Sequence, residues 1–547
     1  MISKLVLCAL LSVRVAAAPA SAPVAAAANP TIIIPAGVVV GTVARVSSQP
    51  SNTNIANAYL GIPFASPPVR FAPPSPPRPF QTLQAQNLMP ACLQQGAPKG
   101  GSELISNAFY DVLLDNPSVD SEDCLYLNVY APRKASLTNL KAVLFWIHGG
   151  NLDTGGSSQT IYDGSSLAVN EDVVVVTINY RLNIFGFSNS PEIPLNQQNS
   201  GFLDQRFALQ WVHDNIKSFG GDPQRVTIAG ESAGGFSVKQ LIAQPPSPLP
   251  FRAAIIESHG KMSLGNPADN LAKVIDHFNC SSAPSHVACL RKVSGRDIQS
   301  YIIDAGLFFG PVKDTTNVDH DSLPSIQSGR AADVPIIIGT NAQELSLSSA
   351  LSDLQANVLA NVTLGVFDLF GLDISAVLKP LEVLYDQKHS IWPLQIFDRI
   401  LTDLIFTCPT HLLSSAFAKS KTRQQPIWRY FYEGDFPNAR LFPHAGAYHT
   451  SEIPMVFGTY PLQNALGPVT PTQIAMSAAM QQIWGDFVKN PAAGPGWPQV
   501  GSSFFGIELG VLGGQKRLDG MTVEPMIHAD LGCPILEPLI LAGQLAY

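Results

Sequence analysis

The chain has 547 residues, of which 46% are hydrophobic and 14% are charged, and its formal net charge at pH 7 is -8. Apolar residues are abundant enough for a large core, which excludes a disordered or coiled-coil protein. No long block of lysine or arginine occurs, so we expect no nucleic acid among its partners.

Residues 1–20 have the pattern of a secretory signal peptide. Lys4 precedes the apolar run LVLCALLSV, and Ala18-Pro19-Ala20 offers a cleavage site. This pattern predicts an exported protein. No internal repeat is visible and no linker cleanly divides residues 21–547, so we expect one domain. No later segment is a long uncharged apolar run, so we expect no transmembrane span.

Six cysteines remain after the signal segment, an even number that is typical of disulfides in exported proteins. Their spacing alone leaves the pairing open, and no C-x-x-C or Cys/His cluster indicates a metal site. The cysteines are Cys92, Cys124, Cys280, Cys289, Cys408 and Cys533. Two N-x-[ST] sequons, at Asn279 and Asn361, are candidates for glycosylation.

Short apolar, β-branched runs recur along the chain and are nearly continuous, as in strands that are buried on both faces. They are AVLFWI (142–147), VVVVTINY (173–180), RVTIAG (225–230), AAIIE (253–257), VPIIIGT (334–340) and IWRYFYE (427–433). A helical pattern, DQRFALQWVHDNIKSFG (204–220), lies between two of them. The alternation predicts a parallel α/β sheet with helices on both faces.

A glycine-rich turn, WIHGGNLDTGGS (146–157), follows the first of these strands. Its spacing approaches the phosphate-binding pattern G-x-x-x-x-G-K-[ST], but Gly156 stands where the lysine is required, which excludes that function. The alternative is an oxyanion hole, in which backbone N–H groups stabilise negative charge on a substrate oxygen.

The sequence Gly230-Glu231-Ser232-Ala233-Gly234 is a G-x-S-x-G motif between a predicted strand and a predicted helix. Such a motif can be an ordinary turn, but this context favours a nucleophilic serine on a tight strand-to-helix turn. The acid and the base should then follow in the order Ser, acid, His. Glu344 follows the strand 334–340, and the base remains open among His389, His411, His444, His449 and His528.

Several motifs occur along the chain, and together, in this order, they are more specific than any single motif. They are YLGIPFASPPVRFAPP, SEDCLYLNVYAP, WIHGG, NYRLNIFGF, NSGFLDQRFALQWVHDNIKSFGGDP, VTIAGESAGG, VPIIIGTNAQE and AYHTSEIPMVFG. On these motifs the chain resembles the type-B carboxylesterase/lipase family of α/β-hydrolases, which also includes cholinesterases. The resemblance implies one α/β-hydrolase domain, with a large, mostly parallel central sheet flanked by helices and with lid and cap insertions.

The resemblance also implies roles for individual residues. Ser232 would be the nucleophile, Glu344 the acid and His449 the base, with no metal or organic cofactor. The implied oxyanion donors are the N–H groups of Gly150, Asn151 and Ala233, and the implied residues behind the triad are Glu231, Ser258 and Glu452. The implied disulfides are Cys92–Cys124, Cys280–Cys289 and Cys408–Cys533.

This sequence departs from the family pattern at three places. Asn151 replaces a glycine, but it keeps the backbone N–H and tolerates positive φ, and its side chain is expected at the mouth of the site. Gln343-Glu344-Leu345 stands where D-E-G is usual. Residues 93–123 contain no tryptophan, so a cation–π site for choline is unsupported and cholinesterase activity is set aside.

We therefore expect a secreted serine hydrolase that cleaves small-molecule or lipid carboxylic esters through an acyl-enzyme. One alternative is a lipase that acts on triglycerides at an interface, with residues 93–123 as a lid in transient contact with lipid. Within this segment the apolar positions Leu104, Ile105, Phe109, Val112 and Leu113 fall near one helical face, which predicts either an amphipathic lid helix or a stripe that packs on the body of the protein. A non-catalytic adhesion protein is the remaining alternative, and the three filled triad positions argue against it.

Overall fold

The structure is a computed structural model, which describes residues 29–48, 54–95, 119–260, 267–314, 322–346, 375–386, 393–441, 445–463 and 467–541. In chain order the strands are β1 Thr31–Ile34, β2 Gly37–Val40, β3 Thr42–Arg45, β4 Ile55–Pro63, β5 Thr82–Gln84, β6 Ala91–Cys92, β7 Asp120–Ser121, β8 Tyr126–Ala131, β9 Lys141–Ile147, β10 Val174–Ile178, β11 Gly221–Glu231, β12 Ala253–Glu257, β13 Ile336–Asn341, β14 Ile427–Tyr432, β15 Ile507–Leu512 and β16 Met521–Pro525.

Helices occupy the connections between these strands. The α-helices are Ser165–Glu171, Asn183–Gly186, Ser200–Asn215, Ala233–Ala243, Pro267–His277, His286–Leu290, Gly295–Asp304, Ser322–Gln327, Ser375–Asp386, Pro393–Thr402, Cys408–Lys419, Ile453–Phe457, Pro471–Lys489 and Cys533–Leu539. One π-helical turn spans Asp403–Thr407. The 3₁₀ turns are Thr160–Tyr162, Leu195–Gln197, Ile216–Phe219, Tyr460–Leu462, Pro491–Ala493 and Met526–His528.

Eleven strands of the described residues form the central sheet, in the order β16-β15-β14-β13-β12-β11-β9-β10-β8-β4-β3. The strands from β10 through β9, β11, β12, β13 and β14 to β15 pair in parallel. The pairings of β16 with β15, β8 with β10, β4 with β8 and β3 with β4 are antiparallel. This large, mostly parallel sheet with flanking helices confirms the predicted fold class.

The alternating side chains of β9 show why its apolar run is continuous. Val143, Phe145 and Ile147 belong to one buried cluster, whereas Leu144 and Trp146 belong to another. Because successive side chains of a strand point to opposite faces, these clusters lie on the two sides of the sheet. Each is covered by helices, so neither face of the strand needs polar residues.

The six strands predicted from apolar runs are all present, with ends that shift by a few residues. The predicted helix 204–220 begins four residues earlier, in Ser200–Asn215, and continues as the turn Ile216–Phe219. It ends at Gly220, whose φ of 81° is the left-handed conformation that glycine adopts readily after a helix.

Candidate active site

The residues predicted to carry the chemistry follow neighbouring parallel strands. Gly150 follows β9, Ser232 follows β11, and Ser258 follows β12. Glu344 comes after β13, and His449 lies in the longer segment after β14. These five strands are consecutive in the sheet and parallel, so their carboxyl ends meet at one edge, where open α/β sheets bind ligands.

Ser232 occupies a strained turn between β11 and the helix Ala233–Ala243. Its φ of 57° and ψ of -120° are rarely adopted by residues other than glycine. Its backbone is fixed on both sides, because its N–H donates to the Glu257 carbonyl at 2.9 Å and its carbonyl accepts from Phe236 N–H at 2.8 Å. The turn also requires glycine at position 234, since a Cβ there would lie 2.0 Å from the Ile147 carbonyl oxygen.

Glu344 and His449 form a hydrogen-bonded pair. Nδ1 of His449 lies 2.7 Å from Oε2 of Glu344, and the His449 backbone N–H donates to the Glu344 carbonyl at 3.1 Å. The other carboxylate oxygen, Oε1, accepts from Ser258 Oγ at 2.6 Å and from the backbone N–H of Asn341 at 2.7 Å. Both Glu344 and His449 are buried, so this geometry is shielded from water.

The second nitrogen of the imidazole, Nε2, points towards the turn that carries Ser232. It lies 3.2 Å from Oε1 of Glu231, the residue that precedes Ser232. Among the described residues no hydrogen bond joins His449 to Ser232 Oγ. Catalytic hydrogen bonds of this kind often tighten only when substrate is bound.

Other candidate histidines lie elsewhere. His411 contacts Glu537, and Nε2 of His528 lies 2.6 Å from Glu433 Oε1. His389 and His444 lie outside the described residues. The structure thus brings His449 beside Glu344, as the resemblance implied.

The glycine-rich turn packs directly on the turn that carries Ser232. A Cβ on Gly149 would lie 3.1 Å from Ser232 Cβ. Gly150 and Asn151 have φ angles of 101° and 53°. Within the described part of the chain, the N–H groups of Gly150, Asn151 and Ala233 donate no hydrogen bond to the protein, so they are available to an oxygen at the site.

The side chain of Asn151 is tied to its own loop. Its Nδ2 donates to Oδ2 of Asp153 at 3.0 Å, and Asn151 is part-buried. Asp153 is fully buried, and burial raises its pKa to about 8, although the hydrogen bond from Asn151 acts in the opposite direction. The amide is therefore engaged by Asp153.

Three further buried carboxyl groups lie around Ser232, Glu344 and His449. Burial raises the pKa of Glu231 and Glu452 well above the ordinary range, and the charges of neighbouring glutamates act in the same direction. Burial also raises the pKa of Glu257 to about 8, despite a hydrogen bond of 2.9 Å from Trp484 Nε1. In all three groups burial is the largest cause of the raised pKa, and it favours the protonated form.

Asn341 was not predicted from the sequence, although it lies in the quoted motif VPIIIGTNAQE. Besides its backbone contact to Glu344, its Nδ2 donates to the Tyr448 carbonyl at 2.9 Å and to a carboxylate oxygen of Glu452. Asn341 thus joins the loop that carries Glu344 to the loop that carries His449. Its place at the end of a strand, near the predicted acid, was the available signal.

Phe406 packs on the imidazole and was also not predicted. Its ring centroid lies 4.9 Å from that of His449. It belongs to the π-helical turn Asp403–Thr407, an irregularity that often occurs at functional sites. A Cβ on Gly260 would lie 2.4 Å from this ring, so the strand-end segment after Ser258 must carry glycine there.

The structure contains the three disulfides that the resemblance implied: Cys92–Cys124, Cys280–Cys289 and Cys408–Cys533. Asn279 is exposed. The signal segment 1–20, the sequon Asn361 and most of the predicted lid 93–123, including its five apolar positions, lie outside the described residues.

One helical stretch among the described residues, Asp398–Lys419, is long and apolar enough to cross a membrane. Its most apolar window is 78% buried inside the protein, as in a core helix. The described residues contain no group of three or more His, Cys, Asp or Glu side chains that could hold a metal ion.

Known proteins share both the sequence and the fold. The sequence profile of the Carboxylesterase family matches residues 28–505. The para-nitrobenzyl esterase of Bacillus subtilis (strain 168) is 33% identical over 469 residues, which cover 81% of this chain and 89% of that protein. Carboxylesterase 1E of Rattus norvegicus is 30% identical over 479 residues, which cover 81% of this chain and 83% of that protein.

A solved structure of a thermophilic PNB esterase aligns with a TM-score of 0.72 and 29% identity, over 93% of this chain and 100% of that chain. Family profile, relatives and fold agree over most of the sequence. The chain therefore belongs to the carboxylesterase family and is a carboxylic ester hydrolase.

Proposed function

We propose that the chain hydrolyses esters through a catalytic triad of Ser232, His449 and Glu344. The observation that carries this proposal is the 2.7 Å contact between His449 Nδ1 and Glu344 Oε2, beside a serine in a strained strand-to-helix turn. A serine hydroxyl is a poor nucleophile until a base accepts its proton. An imidazole oriented by a buried carboxylate supplies that base.

The reaction proceeds in two halves. Ser232 Oγ attacks the ester carbonyl while His449 Nε2 accepts the hydroxyl proton, and Glu344 stabilises the resulting imidazolium. His449 then gives the proton to the departing alcohol, which leaves an acyl group on Ser232. Water, activated by the same imidazole, attacks the acyl-enzyme and releases the acid.

The tetrahedral intermediates carry negative charge on the former carbonyl oxygen. The N–H groups of Gly150, Asn151 and Ala233 donate to no group of the described protein, and the loop of the first two packs on Ser232. We assign these three donors to the oxyanion. The loss of one such donor typically lowers kcat by about 10²–10³-fold.

Glu231 lies close to His449, so its carboxyl group must not compete with Glu344 for the imidazole. Burial raises its pKa well above the ordinary range, and the charges of Glu344 and Glu257 raise it further. A neutral Glu231 leaves Glu344 as the carboxylate that balances the imidazolium. A charged Glu231 would compete for the imidazole, whose Nε2 lies 3.2 Å away, and would draw it from the serine.

The test is an ester panel that varies acyl length and alcohol, run on the wild type and on Ser232→Ala. We expect Ser232→Ala to lower kcat at least about 10⁴-fold on every ester, because the nucleophile is removed. Ser502→Ala is the matched control, since Ser502 is exposed and precedes β15 at the opposite edge of the sheet. Unimpaired hydrolysis by Ser232→Ala would refute the triad.

The adhesion alternative predicts a different result with an organophosphonate probe, which reacts with activated serines. A catalytic Ser232 is labelled stoichiometrically, whereas a non-catalytic binding protein is not labelled.

No observation in the described residues favours the interfacial lipase over the carboxylesterase. The ester panel distinguishes them, because a lipase should hydrolyse emulsified triglyceride much faster once the substrate forms an interface, whereas a carboxylesterase should not.

We further propose that the protein is exported and carries a glycan on Asn279. Three disulfides favour an oxidising compartment, and the Asn279 side chain is exposed. The test is the mass of the protein purified from the medium of its own host. Asn279→Gln should remove the glycan mass, while Ser281→Thr, which preserves the sequon, should keep it.

A further inference from the structure

Two adjacent residues of the oxyanion loop have left-handed backbones without being glycine. Asn151 and Leu152 have φ angles of 53° and 59°, directly after Gly150 at 101°. This conformation is unfavourable for residues with a Cβ, and it persists only where surrounding contacts enforce it. The contacts that hold Asn151 therefore decide where its backbone N–H points.

Leu152 is held by contacts of its own. Its side chain is fully buried, and its carbonyl accepts from the Asn183 backbone N–H at 2.7 Å. The Gly150 carbonyl closes the turn by accepting from the N–H groups of Asp153 and Thr154 at 3.1 and 3.0 Å. Asn151 lies between Gly150 and Leu152, and among the described residues its own N–H and carbonyl groups form no backbone hydrogen bond.

Asn151 has instead a side-chain partner within the loop. Its Nδ2 donates to Oδ2 of Asp153 at 3.0 Å. Asp153 is fully buried, and its other oxygen, Oδ1, has no hydrogen-bond partner among the described residues. Burying a carboxyl group that is only half satisfied costs folding free energy, and the hydrogen bond from Asn151 offsets part of that cost.

We propose that Asp153 is a positioning residue, which holds Asn151 in the left-handed conformation and thereby aims the Asn151 N–H at the oxyanion. This inference rests on the proposed function, which assigns that N–H to the intermediate. Glycine at position 151 would adopt positive φ without a partner. The side-chain hydrogen bond between Asn151 and Asp153 thus stabilises the positive φ that glycine would adopt without such a bond.

The proposal predicts that the role of Asp153 depends on the residue at position 151. Asp153→Ala removes the acceptor and should lower kcat about 10-fold with KM nearly unchanged, because displacing a donor costs less than deleting it. Asp153→Asn should stay within about threefold of the wild type, since its amide oxygen can still accept from Asn151. In the Asn151→Gly background, Asp153→Ala should change kcat less than about twofold.

The experiment is a double-mutant cycle of Asn151→Gly and Asp153→Ala, with kcat and KM measured on 4-nitrophenyl acetate. Asn151→Ala tests the same contact from its other end, and it should match the kcat loss of Asp153→Ala. Thermal unfolding of each variant shows that the compared proteins are folded, and if Asp153→Ala does not fold, Asn151→Ala and Asp153→Asn carry the comparison. An equal loss of kcat from Asp153→Ala in both backgrounds would overturn the proposal, as would full activity of Asn151→Ala.

The proposed function is checked separately in the same samples. Phosphonate labelling of Ser232 in the wild type supports the triad whether or not residues 151 and 153 are coupled. Labelling without coupling overturns the positioning role alone. Absence of labelling at Ser232 in folded wild-type protein overturns the triad on which that role rests.

Discussion

Ser258 Oγ donates a 2.6 Å hydrogen bond to Oε1 of Glu344, the carboxylate oxygen opposite the one that contacts His449. Ser258 thereby fixes the rotation of the carboxylate towards the imidazole. Ser258→Ala should lower kcat about fivefold with little change in KM, because one hydrogen bond of about 1 kcal/mol is lost and the Asn341 N–H remains.

Steady-state kinetics on a soluble short-chain ester measure this effect, with Ser502→Ala as the matched serine-to-alanine control. If Ser258→Ala raises KM and leaves kcat unchanged, then Ser258 contributes to substrate binding and does not orient Glu344.

Asn341 links the loop of Glu344 to the loop of His449, and we expect its removal to affect activity and stability together. Asn341→Ala loses the bonds to Tyr448 and Glu452, so we expect a several-fold lower kcat and a loss of about 1–3 kcal/mol in the free energy of unfolding. The control is Asn170→Ala, since Asn170 bonds Ser166 and Gln481 away from the site. Asn170→Ala should lose thermal stability but keep its kcat. An equal loss of kcat in Asn341→Ala and Asn170→Ala would contradict the linking role of Asn341.

The buried carboxyl of Glu257 makes stability dependent on pH. Its pKa is about 8 in the folded protein and 4.5 in its ordinary state, so the folded state keeps a proton that the unfolded chain releases. The stabilisation is full below pH 4.5 and is lost as the pH rises to about 8, by at most about 1.4 kcal/mol per pH unit.

Glu257→Gln keeps an acceptor for Trp484 but does not titrate. The free energy of unfolding in urea should therefore fall less steeply for Glu257→Gln than for the wild type between about pH 5 and about pH 8. Parallel curves for the two proteins would show that Glu257 does not hold this proton.

Two disulfides that differ in loop length should contribute unequally to stability. Cys408 and Cys533 are 125 residues apart, whereas Cys280 and Cys289 are 9 residues apart. Replacing the first pair by serine should cost about 2 kcal/mol more than replacing the second, because a longer closed loop constrains the unfolded chain more. Urea unfolding of the two double variants measures the difference, and an equal or reversed cost would contradict it.

The sequence was sufficient to predict the parallel centre of the fold. Runs such as AVLFWI are continuous because β9 is buried on both faces, and each predicted strand is present. The parallel strand β15 and the antiparallel strands β3, β4, β8 and β16 were not predicted. Several positions of β3, β4 and β16 are partly or fully exposed, so their apolar runs are interrupted. In the mostly buried β8 and β15, the polar residues Asn128 and Glu508 interrupt the apolar run.

The site was predictable where its residues lie in local motifs. Ser232 and Gly150 follow strands in recognisable turns. The choice of His449 needed the resemblance to a family, since its placement in the sequence suits a loop-borne base no better than that of His444. The linking role of Asn341 depends on contacts with Tyr448 and Glu452, which are more than one hundred residues later. Such contacts arise from the fold and leave no mark in local spacing.

The measurement that tests the central claim most directly is mass spectrometry of the protein after reaction with an organophosphonate probe. The account predicts one adduct per chain, located on Ser232, with complete loss of ester hydrolysis and no adduct in Ser232→Ala. An adduct on another residue, or ester hydrolysis that persists in Ser232→Ala, would contradict it.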